Sequence, residues 1–375
     1  MAVNKIELSS FNLNNLDKSD WPTYRFDEIA QNISERVDPN KTDLKVYIGL
    51  EHIDSESLHI KRFGTPDDVN GQKLKFYKGD IIFGRRRAYQ RKAGIATCDG
   101  FCSAHALVLR ANSDVIDSNL FPFFMHSDLF MNRAIDISVG SLSPTINWGT
   151  LKNQEFIIPP TKLQTEFAEL LQHANENYEK GVSLRKYMQS CEKIVVAKLL
   201  NNISLSNPVV KLGDLVDITT GKLDSNASVE NGEFPFFTCA PETLRIDKFS
   251  FDCEALLLAG NNAAGVYPLK YYKGKFDAYQ RTYVITIRDT ARICYPYLLE
   301  NIKSQLELLK RLSVGSSTKF LTIKVLKDLE IPLTSMGTQL DLVKKAKCFY
   351  DTVDSSFKKQ NSSKQISDLL IGKVF

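Results

Sequence analysis

The densest run of chemically active side chains in the 375 residues is FGRRRAYQRK. There Arg85, Arg86, Arg87, Arg91 and Lys92 put five cations into eight residues, directly after the strand-like GDIIF. A cationic cluster beside a turn suits phosphate neutralisation, and an arginine fork also fits the acceptor edge of guanine. The alternative is a solvated loop, or cations paired with carboxylates elsewhere in the chain. A second run, LLLAGNNAAGVYPLKYYKGKF, offers Asn261 and Asn262 for adenine and Lys270, Lys273 and Lys275 for phosphates, with Tyr271 and Tyr272 interleaved. An Asn-Asn step beside glycine also reads simply as a turn. The tetrapeptide SVGS occurs twice, at residues 138–141 and 313–316, and its closing hydroxyls, Ser141 and Ser316, either donate to a phosphate or close a tight turn.

Motifs of catalysis are missing. The sequence holds no P-loop, no GxGxxG, no HExxH, no GxSxG and no DPPY-like methyltransferase signature. Histidines 52, 59, 105, 126 and 173 lack ligand spacing, and the cysteines at 98, 102, 191, 239, 253, 294 and 348 form no CxxC pair. They read as reduced, mostly buried thiols, and no metal is expected. A net charge of +4 does not by itself announce a nucleic-acid binder. No apolar run approaches a membrane span, and the start, MAVNKIELSSFNLNN, lacks the basic-then-apolar order of a signal peptide, so a cytoplasmic protein is expected.

The elements that must hold these residues are visible in a repeat. Residues 137–164 (ISVGSLSPTINWGTLKNQEFIIPPTKLQ) and 312–339 (LSVGSSTKFLTIKVLKDLEIPLTSMGTQ) align at one offset of 175, with eight identities in 28 positions and no gap. Leu151 faces Leu326, Lys152 faces Lys327, Glu155 faces Glu330 and Gln164 faces Gln339. A shared register of that length argues duplication into two units, and the same offset sets Gly260, Asn261 and Asn262 opposite Arg85, Arg86 and Arg87.

After each aligned segment the apolar residues take helical spacing. The first stripe includes Phe167, Leu171, Tyr178 and Val195, continues for about 38 residues, and implies a rod of roughly 55–60 Å, with Gly181 a point of bending. The second stripe starts near Gly337 and includes Leu340, Leu342, Val353, Phe357, Ile366, Leu369 and Leu370. Two long one-sided helices most simply pack on each other, antiparallel if a two-fold relates the units, and Phe167, Leu171, Tyr178, Val195, Leu342, Val353 and Leu370 are the expected helix-pair and partner contacts. Before each helix lie short apolar runs broken by Gly, Asn, Asp and Pro, read mostly as strands, with helices over residues 120–136 and 295–312. The fold class is therefore α+β: two tandem α/β domains, residues 1–157 and 204–333, each followed by a long helix, residues 158–203 and 334–375. The helices are expected to form an antiparallel coiled coil with pseudo-two-fold symmetry.

This order resembles the DNA specificity subunit of type I restriction-modification systems. It comprises a variable α/β region, SxGS, L-K-x-x-E with a Pro-containing step, Gln and a long helix, all repeated once. KGDIIFGRRR, WPTYRFDEIA and VVKLGDLVDITTG are also in keeping. The resemblance spans nearly the whole chain. It implies a non-catalytic reader of double-stranded DNA whose two variable regions are target recognition domains, one for each half of a bipartite, asymmetric site, with the helices acting as a ruler. It implies partners as well: two methyltransferase subunits that use S-adenosylmethionine to methylate adenine N6, and restriction-translocase subunits that use ATP and Mg. No cofactor would then be bound by this chain. The sequence departs from the family pattern at Thr334, Ser335 and Met336, which replace the Pro-Pro step kept at Pro159 and Pro160 and leave the direction of the second helix open. Other readings stay open: an orphan or recombining specificity subunit, an unrecognised DNA-processing enzyme, or a coiled-coil scaffold without a DNA role.

Overall fold

A computed structural model describes residues 16–262, 265–316 and 318–375; the amino-terminal stretch considered above as a signal lies outside them. The chain packs as two units, Met1–Val182 with Lys358–Phe375, and Ser183–Phe357.

Unit 1 starts with β1 (Thr23–Arg25), the single-turn helix α1 (Phe26–Ile29), β2 (Ala30–Ile33), β3 (Arg36–Val37) and β4 (Tyr47–Ile48). Then come β5 (Lys73–Phe76), β6 (Ile81–Gly84), β7 (Ala93–Ile95), β8 (Gly100–Cys102) and β9 (Ala106–Ala111). Helices α2 (Phe121–His126), α3 (Asp128–Asp136) and α4 (Trp148–Leu151) lead to β10 (Glu155–Ile157) and the long α5 (Thr161–Ser206). Two four-stranded sheets, in the orders β2-β9-β6-β7 and β3-β5-β8-β4, carry the variable region. A separate antiparallel pair, β1 with β10, sets Thr23 opposite Ile157 and ties the first residues of the unit to those just before α5. The helix expected over residues 120–136 is two helices, because Ser127 adopts an extended backbone and caps α3 by accepting from Phe130 N at 3.2 Å. The core is rich in aromatic rings: Phe26, Phe83, Phe124, Phe130 and Phe156 interlock with Phe167 and Leu171 of α5 and with Val374. Burying one such ring stabilises by about 2–3 kcal/mol relative to leaving it in water.

Unit 2 repeats the plan with β11 (Val209–Lys211), α6 (Leu212–Leu215), β12 (Val216–Thr220), β13 (Phe234–Phe237) and β14 (Leu244–Ile246). It continues with β15 (Phe251–Ala259), β16 (Asn261–Asn262), β17 (Leu269–Ala278), β18 (Thr282–Ile287), α7 (Tyr295–Ser304) and α8 (Leu306–Leu312). The last elements are β19 (Lys319–Phe320), α9 (Ile323–Lys327), β20 (Glu330–Pro332) and α10 (Met336–Val374). Its variable region is one six-stranded sheet, β12-β18-β15-β17-β13-β14, in place of two. The framing pair recurs, with Val209 of β11 opposite Pro332 of β20. The helix expected over residues 295–312 breaks at Gln305, whose amide instead donates to the Glu330 carbonyl at 2.9 Å.

Each unit contains one segment of α5 and one of α10, running antiparallel. In unit 1, Gly181 lies against Gln360 while Phe167 and Leu171 share a core with Val374. In unit 2, Arg185 stacks on Phe357 at 4.0 Å while Val196 and Leu200 share a core with Leu342 and Ala346. The helix α5 runs on through Gly181, which gives room to the Gln360 backbone. The second helix starts without prolines because Ser335 caps it, accepting from Thr338 N at 3.3 Å.

Candidate nucleic-acid interface

In unit 1 the cationic run leaves β6 and is held by the hairpin that SVGS forms. Val139 and Thr145 exchange backbone hydrogen bonds of 3.0 and 2.9 Å across it, and Gly140 takes φ +120°, a conformation that L side chains rarely adopt. The Arg85 carbonyl accepts from Ile146 N at 2.9 Å, Arg86 bridges to Thr145, and Arg87 N donates to the Pro144 carbonyl at 2.7 Å. The Arg86 guanidinium donates through Nε to Ser143 Oγ at 2.7 Å, and the residue is exposed. Arg87 sits at φ +58°, a left-handed backbone unusual for a residue with a Cβ, with its side chain exposed. Ser141 and Leu142 form the exposed hairpin tip.

The other two cations of the run turn inward. Arg91 donates to Asp128 Oδ1 at 2.7 Å and to the His126 carbonyl at 3.3 Å, and Lys92 Nζ donates to the Leu50 carbonyl at 2.6 Å. These contacts brace the fold. Beside Arg91, burial pushes the His126 imidazole down to about 4, and its Nε2 lies 2.9 Å from the Ala93 carbonyl.

Unit 2 builds the same frame at the offset of 175. Val314 and Phe320 exchange hydrogen bonds of 3.0 and 2.8 Å, Gly315 takes φ +107°, and the Gly260 carbonyl accepts from Leu321 N at 2.8 Å. Asn261 pairs with Phe320 and Asn262 with Lys319, where unit 1 has Arg86 and Thr145 in the first of these places. Ser316 is exposed on this hairpin. Thus one backbone frame carries exposed arginines in one unit and half-buried asparagines in the other, with Asn261 Oδ1 buried and without a hydrogen-bond partner among the described residues.

The lysines of β17 are not gathered there. Lys273 lies opposite Glu254 and Lys275 opposite Asp252, eight residues before Gly260 on β15, or about 26 Å at ~3.3 Å per residue. Lys270 Nζ donates to the carbonyls of Ala240 and Glu242 at 3.0 and 2.8 Å, and burial lowers its pKa. Lys273 pairs with Glu254 at 3.3 Å, and Lys275 sits over the Phe249 ring at 4.7 Å. Tyr271 OH donates to Glu254 Oε1 at 2.8 Å, which pushes the phenol up to about 12, while Tyr272 is half-buried against Phe237. Two cations missed in the sequence do reach the frame: Lys319, on the hairpin itself, and Arg281, which stacks on Phe320 at 5.2 Å and whose carbonyl accepts from Gly260 N at 2.7 Å. Arg281 carries no local signal, since the β15–β18 pairing alone brings it there.

Of the helix positions, Phe167, Leu171 and Leu342 are buried in the cores of their own units. Tyr178, Val195, Val353 and Leu370 are half-buried, and Val196 takes the buried place next to Val195. Leu340, Ile366 and Leu369 fall outside the buried face and are more than half exposed, because a helical stripe drifts around the axis over ten turns. Among the described residues no cluster of His, Cys, Asp and Glu is placed to hold a metal ion, and no helix is long and apolar enough to cross a membrane.

Comparison with known proteins bears on this frame. The family described as type I restriction modification DNA specificity domain matches twice, over residues 18–181 and 207–363. The EcoDI specificity subunit of a type I restriction enzyme from Escherichia coli is 38% identical over 148 residues, which is 39% of this chain and 32% of that protein. The chain therefore aligns with about a third of the length of that relative. Among solved structures, the S subunit of a type I restriction-modification system from M. genitalium superposes with a TM-score of 0.60 at 18% identity, over 96% of this chain and 97% of that one. A chain from a structure concerned with assembly and conformational transition of the type I R-M system gives 0.60 at 19% identity, over 94% and 97%. These two likenesses establish a shared fold. With both units matched, the chain belongs to the type I restriction modification DNA specificity domain family.

Proposed function

We propose that this chain is a non-catalytic DNA-recognition subunit of a type I restriction-modification complex. Unit 1 reads one half of a bipartite, asymmetric site and unit 2 reads the other. The observation that carries this reading is the duplicated hairpin frame with different side chains at the same strand position, Arg86 in unit 1 and Asn261 in unit 2. An arginine fork matches guanine O6 and N7, and the Asn261 amide, once its buried Oδ1 turns out to the base, matches adenine N6 and N7, so the two units are suited to different bases. Arg86, Arg87 and Ser141 in unit 1, and Asn261, Asn262, Ser316, Lys319 and Arg281 in unit 2, form the contact set. Lys273 and Lys275 lie farther out along β17 and serve the phosphate backbone.

Methylation of adenine N6 and cleavage of DNA then belong to methyltransferase and restriction subunits, which bring S-adenosylmethionine, ATP and Mg. This chain supplies address and binds no cofactor of its own. The complex of the chain with the methyltransferase encoded beside it should enrich, from a random duplex pool, two short unequal blocks separated by a fixed spacer. A single block, or a palindrome, would contradict two different readers.

A further inference from the structure

Beyond the hairpin frame, unit 1 carries a cleft of about 220 Å³ on the Arg85 side of the chain. Three cations from separate segments line it: Arg36 of β3, Lys73 of β5, and Arg85 just after β6. Its apolar wall is Leu74, Leu107 and the half-buried Trp148. The remaining described lining residues are neutral, Asn32, Ser34 and Gln72 among them, and none is acidic. Cations gathered without a carboxylate repel one another, and such an arrangement is relieved by an anion. Among the described residues the buried Arg85 Nε finds no hydrogen-bond partner, while Lys73 Nζ donates only to the carbonyls of Asn70 and Gly71.

We propose that this cleft is a subsite for one nucleotide of a DNA strand, its phosphate on Arg36, Lys73 and Arg85 and its ring against Trp148, Leu74 and Leu107. The inference rests on the DNA-reading function proposed above and extends the interface away from the hairpin tip. The size favours part of a polymer over a free ligand, since clefts that enclose a whole small molecule usually measure about 300–1,000 Å³. Arg85 joins the cleft to the frame, because its neighbour Arg86 is the residue bonded to Ser143. At the offset of 175 unit 2 has Gly260 where Arg85 stands and Ile323 where Trp148 stands, so neither the cation nor the ring recurs at those positions. The subsite is therefore a property of one half of the recognition surface.

Trp148 provides the readout. The full chain is titrated with short random DNA duplexes and, separately, with adenosine monophosphate and inorganic phosphate, following tryptophan emission together with anisotropy of labelled duplex. Duplex is expected to quench the emission saturably, and the Trp148→Phe variant to lose the quench while still binding duplex. The Arg36→Ala/Lys73→Ala variant should bind duplex roughly tenfold more weakly, with the slope of log affinity against log salt reduced by about 0.9 for each phosphate that is no longer neutralised. Its thermal melting should match the parent, since Arg36 is exposed and Lys73 bonds only loop carbonyls. Duplex binding with no change in Trp148 emission and no weakening in the double variant would overturn the subsite and leave the DNA-reading function standing. Failure of the chain to bind duplex at all would overturn both. Saturation by the free mononucleotide or phosphate, with duplex excluded from the cleft, would overturn the assignment to a DNA strand.

Discussion

Gln164 and Gln339, 175 residues apart, make the same three hydrogen bonds at the start of their long helices. Gln164 accepts from Asp117 N at 2.6 Å and donates to the carbonyls of Val115 and Pro159 at 2.8 and 2.7 Å. Gln339 accepts from Cys294 N at 3.0 Å and donates to the carbonyls of Arg292 and Thr334 at 2.8 and 2.9 Å. Both side chains are buried, so each amide satisfies three backbone groups in part-buried or buried hydrogen bonds, and fixes the helix start to the loop ahead of α2 or α7.

Replacing either glutamine by leucine strands those three groups. Gln164→Leu or Gln339→Leu should each cost about 3 kcal/mol. Both tryptophans, Trp21 and Trp148, lie in unit 1, so intrinsic fluorescence during urea unfolding should register Gln164→Leu directly. Circular dichroism is needed to see Gln339→Leu. Wild-type stability in both variants would show that the amides are incidental.

The cations of FGRRRAYQRK should separate into two groups. Arg86→Ala with Arg87→Ala should flatten the salt dependence of duplex binding, by about 0.9 in slope for each phosphate left without its arginine, and leave melting nearly unchanged. Arg91→Ala breaks the bonds to Asp128 and His126 and should lower stability by about 1–2 kcal/mol with the slope unaltered. Equal behaviour of the two variants would remove the distinction between reader and brace.

The hairpin glycines should differ in cost. Alanine at Gly140 meets only the backbone strain of φ +120°, its nearest neighbour being the Ser143 carbonyl oxygen at 3.5 Å, whereas at Gly315 a Cβ would also collide with the Thr318 carbonyl oxygen. Gly140→Ala is expected to cost about 1–2 kcal/mol and Gly315→Ala more, read by denaturant midpoints. The reverse order would contradict these hairpins.

A pH dependence follows from His126. Its folded pKa, about 4, lies below the ordinary value of 6.5, chiefly because burial penalises the charged ring; the hydrogen bond to the Ala93 carbonyl opposes the depression, Lys364 and Arg91 add to it, and Asp368 opposes it. The unfolded chain therefore takes up the proton first. Stability is unaffected above about pH 6.5 and falls as the pH drops from there toward 4, by about 2 kcal/mol for a half-buried ring. His126→Gln should flatten that part of the profile in denaturation experiments between pH 7 and pH 4, and an unchanged profile would count against a half-buried ring held neutral.

The sequence made the repeated parts of the molecule legible, because residues from Ser138 to Gln164 keep the offset to Ser313 through Gln339 without a gap. Both long helices were visible from the helical spacing of their apolar residues, and the placing of Gly260 and Asn261 opposite Arg85 and Arg86 corresponds to the bridges each strand makes to its own hairpin. What escaped depends on long-range pairing or on local competition. Arg281 reaches the unit 2 frame through the β15–β18 register, and the lysines of β17 leave it through the β15–β17 register. Ser127 and Gln305 split helices whose apolar spacing is continuous, because their backbones leave the helical region and their side chains bond elsewhere. The apolar pattern also placed Leu340, Ile366 and Leu369 on a buried face they do not occupy, since spacing alone does not fix how a long helix rotates as it passes successive neighbours.

Whether this chain gives a methyltransferase its address is tested by single-molecule mapping of N6-methyladenine in a methylation-free host that expresses the chain, the methyltransferase encoded beside it, or both. A split, asymmetric motif is expected that appears only with both proteins and is altered in one half alone when Arg86 and Arg87 are replaced by alanine. A motif made by the methyltransferase without this chain, or one indifferent to those two arginines, would contradict that role.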